Sequence, residues 1–128
     1  MIYYSQTSGQ FTGAITIVGC YAGKGAYKNL PTAQFIKNCG PLPQGQYTIS
    51  PLHTIPHLGP AMALSPAPTN NMEGRSGFFI HLDNPAHPGE SSDGCIVLVN
   101  NDAMLGSIKQ RHLETMRATG EDQLIVTA

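Results

Sequence analysis

Gly77-Phe78-Phe79-Ile80-His81 and, past a loop from Asp83 to Ser92, Cys95-Ile96-Val97-Leu98-Val99 are two short apolar runs bounded by turn-forming residues. Neither is long enough for a buried helix, so each reads as a buried strand. Outward from them the same grain repeats. Ile2 to Ser5 reads as a strand, Gln6 to Gln10 as a tight connection, and Phe11 to Thr12 as the return. Ala14 to Tyr21 gives a β-branched strand stopped by Gly23 and Gly25, Gln46 to Ser50 a short strand, and Gln123 to Thr127 a last one. Residues 26 to 46 and the Pro-rich stretch 51 to 70 read as loops. Only one helix is expected: Asn101 or Asp102 caps it, Met104, Leu105, Ile108, His112 and Met116 form its apolar stripe, and Gly120 ends it. Fourteen Gly and ten Pro favour short strands over long helices. The expectation is one mainly β domain over residues 1–128, with about six or seven strands and one C-terminal helix closed into a barrel or sandwich.

Composition narrows the function classes. Apolar residues at 41% against charged ones at 12% suit a packed core and oppose disorder. Seven Lys+Arg against eight Asp+Glu leave no basic field for a phosphate backbone, so nucleic acid is not an expected partner. Apolar runs of a few residues exclude membrane insertion as a helix. Met1-Ile2-Tyr3-Tyr4-Ser5-Gln6 has neither the basic stretch nor the apolar core of a signal peptide, so delivery by other means is expected. Three Cys allow at most one disulfide. A Cys20–Cys39 bridge and a pair of free thiols are equally compatible with the sequence.

The third thiol carries the chemistry. Cys95 follows Gly94 at the mouth of an apolar strand, where the strand holds its Cα and the glycine lets the backbone N–H face a carbonyl. A thiol with a pKa of about 8.5 is a weak nucleophile at neutral pH and needs a base. His81, at the end of the other strand, is the candidate. The competing readings are an inert core thiol and a structural histidine. A zinc set drawn from His81, Asp83, His87 and Cys95 is permitted by spacing but lacks any paired motif. His53 and His57 read as surface or cleft-lining, His112 as a core histidine, and Tyr27, Tyr47, Phe78 and Phe79 as core aromatics, with groove lining the alternative for one or two of them.

Gly77-Phe78-Phe79-Ile80-His81 … Ser92-Asp93-Gly94-Cys95-Ile96-Val97-Leu98 resembles the active-site signature of the L,D-transpeptidase (YkuD-type) family. Asn38-Cys39-Gly40-Pro41-Leu42-Pro43-Gln44-Gly45-Gln46-Tyr47 is similar to a second stretch of that family. Tyr3-Tyr4-Ser5-Gln6 and Gly23-Lys24-Gly25 … Asn29 resemble its compact branch of type VI secretion effectors, the Tlde1-like group. The resemblance implies Cys95 as nucleophile, His81 as base and the Leu82 carbonyl as holder of the imidazole's other nitrogen. It implies an oxyanion hole from the N–H groups of Gly94 and Cys95, with Ser92 shaping the loop.

This chain departs from the wider family at two places. Asp93 stands where His is frequent and is expected to point towards Arg75 or solvent. Val97 stands where Arg is frequent, and Arg75 is the expected substitute. Ser92, Asp93 and Arg75 are thus the expected substrate-side residues, and Asn100 matches an Asn found shortly after the motif.

The implied activity is that of a cysteine-dependent L,D-carboxypeptidase or L,D-transpeptidase on peptidoglycan tetrapeptide stems, with no cofactor and no metal. The implied biology is an antibacterial toxin acting in the periplasm of target cells after type VI-like delivery. Its implied partners are the stem peptides, a cognate immunity protein and a component of the secretion apparatus. A zinc-dependent peptidase and an inactive wall-binding module are the alternatives.

Overall fold

A computed structural model describes residues 1–99 and 103–128. In chain order its strands are β1 (Ile2–Ser5), β2 (Gln10–Gly13), β3 (Cys20–Ala22), β4 (Gly45–Ile49), β5 (His53–Ile55), β6 (Gly59–Pro66), β7 (Phe78–Leu82), β8 (Ile96–Leu98) and β9 (Gln123–Thr127). Helix α1 (Ala103–Ala118) lies between β8 and β9, and two 3-10 turns, Gly25–Tyr27 and Pro31–Ala33, lie between β3 and β4. The strands form one sheet in the order β2-β1-β9-β4-β6-β7-β8-β3, with β5 paired to β6. The sheet curls into a nearly closed barrel. Its two ends approach each other where the Cys20 N–H donates to the Gly9 carbonyl at 3.0 Å and Phe11 bridges Ile17.

Alternation explains the strand faces. In β1, Ile2 and Tyr4 are buried while Tyr3 is exposed; in β9, Leu124 and Val126 are buried. These join Phe11, Leu42, Tyr47, Ile49, Met62, Leu64, Ile80, Ile96, Leu98 and Leu113 in a single core. One atom in it is out of place. The Tyr4 hydroxyl is buried with no hydrogen-bond partner among the described residues, beside the tilted ring of Phe11 at 5.1 Å. An orphaned buried hydroxyl costs about 1–3 kcal/mol. Tyr4→Phe is therefore expected to raise the melting temperature by a few degrees, read by calorimetry.

Several expectations need correction. Ala14 to Tyr21 is not one strand: Ile17 makes an isolated bridge and only Cys20–Ala22 pairs regularly. The stretch 51 to 70 is not a loop but the hairpin β5–β6, so the described residues hold nine strands. The helix stripe is also rotated. Gly106, Gln110 and Leu113 are buried, whereas Ile108 and His112 face solvent. The Gln110 amide donates to the Pro60 carbonyl at 3.0 Å, so a polar residue docks the helix on the sheet. Gly120, at φ 106°, stops the helix as expected. Asn100 and the capping residues Asn101 and Asp102 lie outside the described residues, as do the side chains of Met104 and Leu105. All three cysteines are free thiols, so no Cys20–Cys39 bridge is present. Burial pushes the Cys20 thiol up to about 12, with Lys109 pulling the other way.

Candidate active site

Strands β7 and β8 run parallel, with Ile80 beside Ile96 and His81 beside Val97. A parallel neighbour forces the chain to travel back the length of the strand, which is what the loop 83–94 does. Ile80 and Ile96 turn into the core. Strand alternation then puts Phe79, His81 and Cys95 together on the other face. They line one cleft of about 350 Å³, together with Lys37, Asn38, Leu58, Arg75 and Asp93. The register step before Ile80–Ile96 brings Cys95 beside Phe79, whose N–H donates to the sulfur at 3.4 Å.

The His81 ring is 3% exposed and its Nδ1 lies 2.8 Å from the Leu82 carbonyl oxygen. A carbonyl only accepts, so Nδ1 carries the proton and Nε2 keeps its lone pair. The ring is thereby held as the tautomer that can accept a proton. Burial pulls the imidazole below its ordinary value, opposed by the Leu82 carbonyl and by Asp83. Burial likewise pushes the Cys95 thiol above its ordinary value; Asp93 adds to this, while the N–H groups of Phe79 and Cys95 and the Arg75 cation oppose it. Both shifts favour a neutral thiol and a neutral imidazole over a preformed ion pair. Iodoacetamide labelling of Cys95, followed by peptide mass mapping, is accordingly expected to be slow at pH 7 and still rising above pH 9. Rapid labelling that is flat from pH 6 would contradict this.

The loop carrying Cys95 is framed from several sides. Ser92 is 1% exposed; its hydroxyl donates to the Cys95 carbonyl at 2.6 Å and accepts the N–H groups of Gly23 at 2.9 Å and Gly94 at 3.0 Å. Ser92 therefore builds the loop, its hydroxyl engaged by three backbone groups. The same bond occupies the Gly94 N–H, which removes it from the expected oxyanion pair and leaves the Cys95 N–H beside the sulfur. The Gly94 carbonyl accepts the Leu42 N–H at 3.0 Å. Asp93 points outward, as an exposed carboxylate 3.3 Å from Lys24.

Arg75 is neither on the surface nor free for substrate. It is 6% exposed, stacks over Phe78, and donates from its two terminal nitrogens to the carbonyls of Gln34, Pro41, Gly40 and Asp93. The Asn38-to-Gly45 stretch is thus tied to the Cys95 loop through one guanidinium. Sequence reasoning missed the other ties. Gln6, fully buried, donates to the Leu42 carbonyl at 2.9 Å, and the Tyr47 hydroxyl donates to the Pro43 carbonyl at 2.6 Å. A buried Gln in the opening strand region is the one signal that could have drawn notice, because such an amide must be satisfied.

Asp83 organises the loop between the pair. Its carboxylate accepts the Tyr21 hydroxyl at 2.8 Å, the Ser91 hydroxyl at 3.0 Å and the Gly89 N–H at 3.0 Å. His87 is exposed. Among the described residues no three His, Cys, Asp or Glu side chains gather as a metal site, so the zinc set of His81, Asp83, His87 and Cys95 does not assemble. Of the aromatics, Tyr47 and Phe78 are core, Phe79 lines the cleft, and Tyr27 is 40% exposed rather than buried.

The Tlde1 domain family model matches residues 16–120, a span that contains every residue of this cleft. The chain belongs to the Tlde1 domain family. The family is type VI secretion effector-like. No curated protein matches the chain. Strands β1, β2 and β9 lie outside the matched span, yet this Tlde1 domain needs them: β9 pairs with β4, and Gln6 follows directly on β1.

Proposed function

We propose that this Tlde1 domain is a cysteine acyl-transfer enzyme acting on peptidoglycan tetrapeptide stems, as an L,D-carboxypeptidase or L,D-transpeptidase, and that it works as an antibacterial effector in the periplasm of target cells. One observation carries the reading: His81 and Cys95 share one face of β7–β8 in a single cleft, with the imidazole tautomer set by the Leu82 carbonyl.

His81 Nε2 takes the proton of the Cys95 thiol as the sulfur attacks the carbonyl carbon of the stem's third residue. The carbonyl π pair moves onto oxygen, and the Cys95 N–H is the backbone donor available to it. Collapse breaks the C–N bond, and the proton on His81 goes to the departing amine. A thioester on Cys95 remains, and water or an amino group, deprotonated by His81, resolves it to an acid or a new amide.

The test is incubation of the protein with purified disaccharide-tetrapeptide, with products read by mass spectrometry. Loss of the terminal D-alanine, or its replacement when another D-amino acid is supplied, is expected. Unchanged tetrapeptide beside retained binding to sacculi would identify an inactive wall-binding module instead.

A further inference from the structure

Besides His81, two basic residues line the cleft, Arg75 and Lys37, and a third, Lys24, pairs with Asp93 of its wall; their fates differ. Arg75 has both terminal nitrogens committed to backbone carbonyls. Lys24, just outside, is paired with the Asp93 carboxylate at 3.3 Å. Lys37 lines the cleft with Cys95, is exposed, and makes no ion pair or hydrogen bond among the described residues. The Lys24 pairing also matters for sign, since it offsets the single carboxylate on the cleft wall. The cleft thus offers an incoming ligand one uncommitted positive charge, on a flexible stem, among the residues that line it with Cys95.

We propose that Lys37 is the anion-recognition residue of this cleft and that it selects acyl donors bearing a free carboxylate just beyond the scissile bond. The inference rests on the acyl-transfer reading above for its substrate. In a tetrapeptide stem the leaving residue is the last one, so its α-carboxylate lies one residue beyond the attacked carbonyl. An ammonium held at the cleft wall attracts that carboxylate and aligns the amide for attack, and it discriminates against an amidated or extended C-terminus. No bond to Lys37 forms or breaks, so its role is specificity and not proton transfer.

Two measurements test this, and they fail separately. The first needs no peptidoglycan chemistry: Cys95 is alkylated at mildly alkaline pH with anionic iodoacetate and with neutral iodoacetamide, and the two rates are compared. In Lys37→Gln the iodoacetate-to-iodoacetamide ratio is expected to fall about threefold or more, in Lys37→Arg to stay, and in the parent protein to shrink as salt is added. An unchanged ratio in Lys37→Gln, with Cys95 still labelled by both reagents, would overturn the proposal. The second compares tetrapeptide with its C-terminal amide. Lys37→Gln should raise KM for the free acid while leaving the amide unaltered; an equal rise for both would overturn it. If the parent protein turns over neither peptide, the enzymatic reading falls, and the alkylation ratio still decides whether Lys37 supplies the charge. Lys37 is exposed, so melting curves of both variants should superimpose on the parent's.

Discussion

Cys95→Ala is expected to bring release of the terminal residue from tetrapeptide stems down to background, and His81→Ala to lower it by about 10²–10⁴-fold. The reasons differ. Without the sulfur no acyl-enzyme can form, so neither hydrolysis nor exchange survives. Without the imidazole the thiol must ionise unaided, and burial makes that harder here than for a free cysteine. The His81 variant should therefore recover partly at alkaline pH, whereas the Cys95 variant should not. In the parent protein the sign of the pH response follows from the same burial. A ring whose folded value lies below the ordinary 6.5 remains neutral at pH 7 and is protonated only as pH falls further. The acid limb of kcat/KM should thus have its midpoint below pH 6.5. A midpoint above it would mean that His81 is stabilised as an imidazolium, and the neutral-pair mechanism would be wrong. Both side chains are buried or half-buried, so both variants should melt below the parent, and circular dichroism at the assay temperature should show them still folded.

How far such a site can be read from sequence depends on what kind of partner each residue has. That Cys95 and His81 share a cleft is legible because the two apolar runs specify strands, and strands put alternate residues on one face; the Leu82 carbonyl is implied by the family resemblance alone. Ser92 and Gly94 were half legible: the loop was found, but the hydroxyl that fills the Gly94 N–H was not, since nothing in Ser-Asp-Gly-Cys distinguishes a free N–H from a bonded one. The clamp made by Arg75 is not legible because its partners are backbone carbonyls from Gln34, Gly40, Pro41 and Asp93, and carbonyls leave no mark on a sequence. The fold shows the same division. The apolar strands β1, β7, β8 and β9 stood out, while the β5–β6 hairpin was hidden by Pro56, Gly59, Pro60 and Pro66, which mimic a loop. Pro60 and Pro66 sit near the ends of β6, where the lost N–H costs least. In α1 the packing face was misjudged because Gly106 and Gln110 carry it, a small residue and a satisfied amide rather than two apolar ones.

Arg75→Gln should be the most destabilising single change outside the hydrophobic core. The guanidinium is buried, and it satisfies carbonyls contributed by three separate pieces of chain: Gln34 from one turn, Gly40 and Pro41 from the next loop, and Asp93 from the nucleophile loop. A glutamine offers two N–H donors on a shorter stem, so at least two carbonyls are stranded, each at about 1–3 kcal/mol. The sum, about 2–6 kcal/mol, is a large part of the 5–15 kcal/mol that holds an ordinary domain together. Arg75→Lys keeps the charge but loses the planar fork, so it should recover only part of the loss. Gly94→Ala attacks the same clamp from the other side. Gly94 sits at φ 142°, and an added Cβ there would lie 2.5 Å from the Arg75 Nη2 and 2.8 Å from the Phe78 ring. Urea unfolding should therefore show lowered midpoints for Arg75→Gln and Gly94→Ala, and in the double variant a loss smaller than the sum, because the second change strikes contacts the first has already broken. Strict additivity would mean that the two residues act independently and that no shared clamp holds the Cys95 loop.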